Sequence, residues 1–199
     1  MLTPAELARD PSPLTRRVTV DGVEVVVRAL RPDEGDALTA FVAGLSGTSR
    51  RFWHGDTDDA AAAGDWIEAI GRYDKLRLVA EHGGHLAGVA DLSFSLPDGY
   101  EITRYASYGH PLDPARTVRF GPCVADAWQG RGLAAALLPP AWDAARLFGR
   151  DRVVLFGGVH AANQRARRFY RRHGFVEVGA FDDCVDMVLR LPSEGEAQP

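Results

Sequence analysis

Apolar and polar residues alternate along "RRVTVDGVEVVVRAL" (16–30), with Asp21–Gly22 between two β-branched runs. Period-two alternation broken by Asp-Gly predicts a β-hairpin. The period then changes. In "RPDEGDALTAFVAGL" (31–45), Leu38, Phe41, Val42 and Leu45 recur at helical spacing behind Pro32 and a group of acids. That predicts a helix opened by residues suited to a first turn. "SRRFWHGDTDDAAAAGDWIEAIGRYD" (49–74) predicts a second helical region, with Trp66, Ile67 and Ile70 as its apolar face. "LRLVAEHGGHLAGVADLSFSL" (76–96) reads as a hairpin turning at Gly83–Gly84. Residues 97–116 hold Pro97, Gly99, Gly109, Pro111 and Pro114, so they read mainly as loop and as a candidate lid.

In the second half strands and helices alternate. "TVRFGPCVAD" predicts a strand, "RGLAAALLPPAWDAARLFG" a helix, "DRVVLFGG" a strand, and "AANQRARRFYRRHG" a helix closed by Gly174. "FVEVGAF" and "VDMVLRL" supply the last strands. The fold class expected is α/β, a mixed sheet covered by helices. Residues 1–16 read as a Pro-rich arm, 17–190 as the domain, and 191–199 as a polar, disordered tail. No internal repeat is visible.

Composition narrows the class. The chain has 199 residues, 46% hydrophobic and 25% charged, enough for one domain with a real core. A net charge of −4 gives no bulk attraction to nucleic acid or anionic membrane. Cys123 and Cys184 match no metal spacing, and no histidine pair does; no metal is expected. Two separated thiols suggest a reducing compartment. The N-terminal stretch lacks the apolar core of a signal peptide, and no apolar run approaches a membrane span, so a soluble cytoplasmic protein is expected.

The candidate chemistry begins at "CVADAWQGRGLAAALL" (123–138). A strand hands over to a helix there, through a turn holding Gly130 and Gly132. The first N–H groups of a helix lack partners and attract anions. Glycines let a phosphate approach the backbone, and Arg131 adds a charge. Without a ligand, the same residues would make an ordinary glycine turn. Upstream, Gly121–Pro122 interrupts the strand and should kink it or splay it from a neighbour. In the helix 161–173, Ala162, Ala166, Phe169, Tyr170 and His173 share one face. Tyr170 there reads first as a core residue, and Asn163 as a cap.

Together these residues resemble the acetyl-CoA-binding half of the GNAT superfamily of N-acetyltransferases. Gln129–Gly130–Arg131–Gly132–Leu133–Ala134 is similar to the family's Q/R-x-x-G-x-G/A phosphate loop. Asn163, Ala166, Tyr170 and Gly174–Phe175 are similar to its later N-x-x-A-x-x-x-Y and G-F pattern. The resemblance covers residues 17–190. It implies a central, mostly antiparallel sheet of about seven strands, with a cleft where the family's fourth and fifth strands splay. It further implies backbone contacts from Pro122, Cys123 and Val124 to the pantetheine arm, Pro122 offering only its carbonyl. The pyrophosphate would lie on the amides of Gly130 through Ala135, Asn163 would bond the cofactor arm, and Tyr170 would be the general acid near the thioester sulfur.

The implied reaction is direct acetyl transfer from acetyl-CoA to an amine. An alkylamine of pKa ~10.4 is mostly protonated at neutral pH, so a proton acceptor is needed. A phenol of pKa ~10 facing a thiol of ~8.5 is uphill by ~2 kcal/mol for full transfer, so the tyrosine would act as a hydrogen-bond donor.

Several residues depart from the family pattern. Arg119 stands where many relatives carry a base glutamate, and an arginine cannot be a base. It could instead bind a substrate carboxylate, or be a surface arginine on the strand's outer face; Asp91 and Glu101 are the alternative acids, or else solvated surface acids. Pro139–Pro140 should break the helix near Leu138. "LSGTSRRFW" (45–53) loosely resembles a segment of GNAT-type protein lysine acetyltransferases, or is an ordinary joint with Phe52 and Trp53 packed inward. His160 is a cleft residue or a plain loop histidine. The acceptor expected is a small-molecule amine or a protein lysine or N-terminal amine, and a homodimer is one possible assembly. Two other functions remain open. One is a non-catalytic, acyl-CoA-binding sensory domain. The other is a nucleic-acid module using the arginine-rich helix 164–173, which the acidic net charge opposes.

Overall fold

The computed structural model describes residues 3–52, 59–72, 74–96 and 100–192. Trp53, Pro97, Gly99 and residues 193–199 lie outside them, as do the readings placed on them. The elements in chain order are α1 (Pro4–Arg9), β1 (Arg16–Val20), β2 (Val23–Ala29), α2 (Gly35–Ala43), α3 (Gly47–Arg51) and α4 (Asp59–Arg72). Then come β3 (Lys75–His82), β4 (His85–Ser93), α5 (Tyr100–Ser107), β5 (Thr117–Val124), α6 (Leu133–Ala136) and α7 (Leu138–Leu147). The last are β6 (Arg152–Leu155), β7 (Val159–His160), α8 (Gln164–Arg172), β8 (Val176–Phe181) and β9 (Cys184–Arg190). The fold is mixed α/β, as expected. The described residues hold nine strands rather than the about seven that the resemblance implies: the pattern marks eight, and two-residue β7 is the ninth.

The chain divides into two compact units, residues 1–92 with 122–144, and residues 93–121 with 145–199. In the first, the β1–β2 hairpin turns through Asp21 and Gly22, both at positive φ, as Asp-Gly predicts. Antiparallel β2–β3 pairing continues the sheet. Arg28, 6% exposed, joins the carboxylates of Glu34 (2.7 Å) and Glu81 (2.6 Å), tying β2 to the start of α2 and to β3. Leu38, Phe41, Val42 and Leu45 are buried with Ala63, Ile70, Val79 and Val89, so the helical spacing read in α2 does face the core. The segment read as a Pro-rich arm is folded from Thr3 onward. Thr3 and Glu6 form a reciprocal cap on α1, and Leu7 and Leu14 are buried.

In the second unit β5 and β6 pair in parallel from Thr117↔Arg152 to Phe120↔Leu155. Antiparallel β6–β9 and β8–β9 pairs follow. Residues 100–107 are helix α5, which the reading of 97–116 as mainly loop did not include, while 108–116 carry no helix or strand. Tyr105 is fully buried there, and Arg104 donates to Asp186 of β9 at 2.6 and 3.1 Å. Leu191, read as the start of the tail, is 2% exposed and its N–H donates to Asp151 O at 2.7 Å. No helix among the described residues is long and apolar enough to cross a membrane.

Candidate active site

The turn between β5 and α6 lies wholly in the first unit. Gly130 and Gly132 have φ of +81° and +94°, a region costly for any residue with a Cβ. Both glycines are therefore demanded by the backbone, independent of any ligand. The path they impose leaves the N–H groups of Gly130 through Ala135, six in succession, without a hydrogen-bond acceptor among the described residues. The first closed helical bond is Ala136 N–H to Gly132 O at 3.0 Å. A run of successive unpaired amides suits a diphosphate, so these residues fit the group the family pattern implies.

Packing holds that run in place. Leu133 and Leu137 are fully buried. A Cβ on Gly88 of β4 would stand 3.3 Å from Cys123 O and 3.4 Å from each of their side chains. Residue 88 must stay small for the strand end and the helix start to approach β4. The helix breaks at Leu137, with Pro139 and Pro140 in the first turn of α7. Their missing N–H groups would have bonded Ala135 O and Ala136 O, so the break falls where expected and spares the turn.

β5 runs four residues past its last pair with β6, to Val124. Pro122 has no N–H to extend that ladder. The Cys123 side chain is buried, and burial pushes its thiol up to about 12, so its chemistry is that of its backbone rather than of a nucleophile. Val124 O accepts from Gln129 Nε2 at 3.2 Å, and the same Nε2 donates to Ser49 Oγ at 2.9 Å. Gln129 thus braces the turn from behind. Arg131 Nε donates to Asp21 Oδ2 at 2.8 Å, and its guanidinium lies 4.5 Å from the Trp128 ring centroid. Its charge is largely matched within the protein.

The other predicted residues belong to the second unit. Asn163 is the N-cap of α8: Oδ1 accepts from Ala166 N–H at 3.1 Å, which leaves its amide NH2 as the group for a ligand. Tyr170 is 8% exposed and stands edge-on to Phe169 and Phe175, centroids 5.4 and 5.2 Å away. His160 ends strand β7, paired with Cys184, rather than lying in a loop, and its Nδ1 accepts from Ala162 N–H at 3.1 Å.

Arg119 is built into the unit. Its guanidinium donates to Ser95 O (3.0 Å) and Ser93 Oγ (3.1 Å), and lies 4.4 Å from the Phe156 ring centroid. A substrate carboxylate would have to compete with those partners. Its Nε is also 3.8 Å from Glu101 Oε2. Glu101 is 4% exposed, and Oε2 has no hydrogen-bond partner among the described residues; burial raises its pKa. Asp91, in the first unit, pairs with Arg77 at 3.6 Å. On α8, Arg167 and Arg171 converge on Glu177 at 2.9 and 2.7 Å. That shared pairing removes two of the five arginines from any nucleic-acid surface. What sequence reasoning missed is Asp126, which binds Ser46 and Ser49; the "LSGTS" repeat of serines was its visible trace.

A family model described as Acetyltransferase (GNAT) family matches residues 42–175, more than half the chain. The chain belongs to the GNAT acetyltransferase family. Among solved structures it is similar to the GNAT domain of S. lividans PAT (TM-score 0.74, 23% identity, covering 91% of this chain and 99% of that one). It is also similar to AAC(6')-Ib in complex with ribostamycin and coenzyme A (TM-score 0.65, 19% identity, 83% and 93% covered). A third is Mycobacterium smegmatis RimJ in complex with CoA-disulfide (TM-score 0.63, 17% identity, 92% and 89% covered). At these identities the likeness is one of fold. No curated protein matches the chain. Acyl transfer from coenzyme A to an amine is the reaction the family supports in general.

Proposed function

We propose that this GNAT protein is a cytoplasmic N-acetyltransferase that uses acetyl-CoA. The observation that carries the reading is the run of unpaired amides from Gly130 to Ala135, entered through two glycines at positive φ. Those amides take the pyrophosphate. Pro122, Cys123 and Val124 offer backbone groups to the pantetheine arm, and the Asn163 amide adds a donor to it. The amine nitrogen bonds the acetyl carbonyl carbon, the carbon–sulfur bond breaks, and the amine's proton passes to a carboxylate or to water. Tyr170 donates a hydrogen bond to the departing thiolate. The acceptor class is a small-molecule amine or a protein amine. One solved neighbour, AAC(6')-Ib, is in complex with ribostamycin and coenzyme A, which is compatible with the small-molecule class.

Calorimetry with coenzyme A, followed by thiol release from acetyl-CoA across small amines and lysine peptides, tests the reading. Saturable binding and acceptor-dependent release are expected; absence of binding sinks it. Arg119, held by Ser93 and Ser95 at the usual base position, favours one rival, a sensory domain that binds without turnover. Tight binding with no release on any acceptor would select that rival.

A further inference from the structure

Asp126 opens the short 3-10 turn Asp126–Trp128 that leads to Gly130. Its exposed carboxylate receives three donors. Ser46 N–H reaches Oδ2 at 2.9 Å, and the hydroxyls of Ser46 and Ser49 reach Oδ1 at 2.7 and 2.8 Å. Ser46 also caps α3, its Oγ accepting from Ser49 N–H at 3.3 Å. Ser49 Oγ accepts from Gln129 Nε2, which in turn holds Val124 O. The network therefore grips the turn at its first residue, at its last, and at the strand end before it. Three direct donors also hold the Asp126 carboxyl below the usual carboxylate range, the Ser46 N–H contributing most.

An acid four residues before a run of anion-binding amides is adverse by charge alone. Its presence needs a compensating role. We propose that Asp126 is a positioning residue: with Ser46 and Ser49 it latches the 126–129 turn, so that the amides from Gly130 to Ala135 are held ready for a diphosphate. This rests on the reading that those amides bind the pyrophosphate of coenzyme A. The gain is one of preorganisation, because an unlatched turn must be ordered when the ligand binds. It also gives "LSGTS" a task at the cofactor end of the reaction rather than in choosing the acceptor.

The latch and bare charge predict opposite signs. Removing an acid near a bound polyanion should tighten binding if charge dominates, and loosen it if the latch does. Calorimetry on the full chain with coenzyme A is the measurement. Asp126→Ala is expected to weaken binding roughly tenfold. Asp126→Asn, which keeps one oxygen for the two hydroxyls and loses the acceptor for Ser46 N–H, should fall between it and wild type. Ser46→Ala combined with Ser49→Ala should weaken binding without any change of charge. Thermal midpoints, read alongside, separate a latch from a mere cap on α3: a cap alone lowers the midpoint and leaves the affinity of the folded protein unchanged. Equal or tighter binding by Asp126→Ala overturns the latch. Failure of the wild type to bind coenzyme A overturns the underlying reading, and the latch with it.

Discussion

Tyr108 occupies the space that a side chain at residue 179 would need. A Cβ built on Gly179 would lie 2.3 Å from the Tyr108 ring, whose hydroxyl donates to Ala180 O at 3.0 Å. Gly179 follows the register shift in β8, so the segment after α5 lies against a strand that is irregular at that point. Gly179→Ala should destabilise the protein by about 1–3 kcal/mol, because the ring must swing away and give up its bond to Ala180 O to make room. Urea denaturation measures it. Adding Tyr108→Ala should restore part of the loss; a purely additive double variant would show that the ring is not the obstacle.

Glu177 carries a pH dependence. The Arg167 guanidinium, then that of Arg171, hold its carboxyl down at about 2, against partial burial that opposes them. A carboxyl lowered on folding adds stability above its ordinary range of about 4.5, and that contribution is lost as pH falls from there towards about 2. Glu177→Gln should therefore cost about 1–2 kcal/mol at pH 7, part of the full linkage being screened at a surface pair. The gap to wild type should close progressively below pH 4.5. A gap independent of pH in denaturant titrations would assign the loss to packing.

The hairpins, the core face of α2 and the glycines of the turn were legible because each depends on residues near in sequence. Asp21–Gly22 fixes its own turn, and Gly130 and Gly132 fix theirs. Helix α5 was hidden because its punctuation is that of a loop, while its anchor, Arg104 to Asp186, spans 82 residues. Arg131 reads as a phosphate ligand locally, yet its partner Asp21 is 110 residues away. Asp126 and Ser46 are 80 apart, so local pattern shows the serines but does not pair them with the acid. Side-chain pairing across such separations is set by topology, and local pattern does not carry it.

Gly132→Ala separates backbone demand from ligand space. No atom lies within 4 Å of a Cβ at that position, so the strain comes from φ +94° alone. The fold should lose about 1 kcal/mol. Coenzyme A affinity should fall at least roughly tenfold, because a methyl group stands among amides meant to touch the ligand. Loss of stability without loss of affinity in calorimetry would remove this glycine from the binding surface.

Tyr170→Phe keeps the ring between Phe169 and Phe175 and removes only the hydroxyl. Coenzyme A affinity should hold. Turnover with the best acceptor found should fall roughly 10²-fold, the range for one positioned proton donor. An unchanged kcat takes Tyr170 out of the chemistry and leaves it as core.

Glu101 sets stability against pH in the opposite direction from Glu177. Burial raises its pKa; Arg119 and Arg104, at 3.8 and 3.9 Å, pull it back, and Asp186 adds to the rise. Neither arginine is within hydrogen-bond reach, so the desolvation of the carboxylate is not repaid. A carboxyl raised on folding favours the native state fully below its unfolded value, and that advantage disappears as pH climbs through its native value. At pH 8, well above the ordinary carboxylate range, the raised carboxyl burdens the native state whether it ionises or keeps its proton, and Glu101→Gln, similar in shape and uncharged, should be more stable than wild type by about 1 kcal/mol. Near pH 4 the two should converge, since wild type is then largely neutral at this site. Denaturant midpoints at both values decide it: a variant less stable than wild type at pH 8 would mean that the two guanidinium groups outweigh burial, and that Glu101 is held as a structural anion.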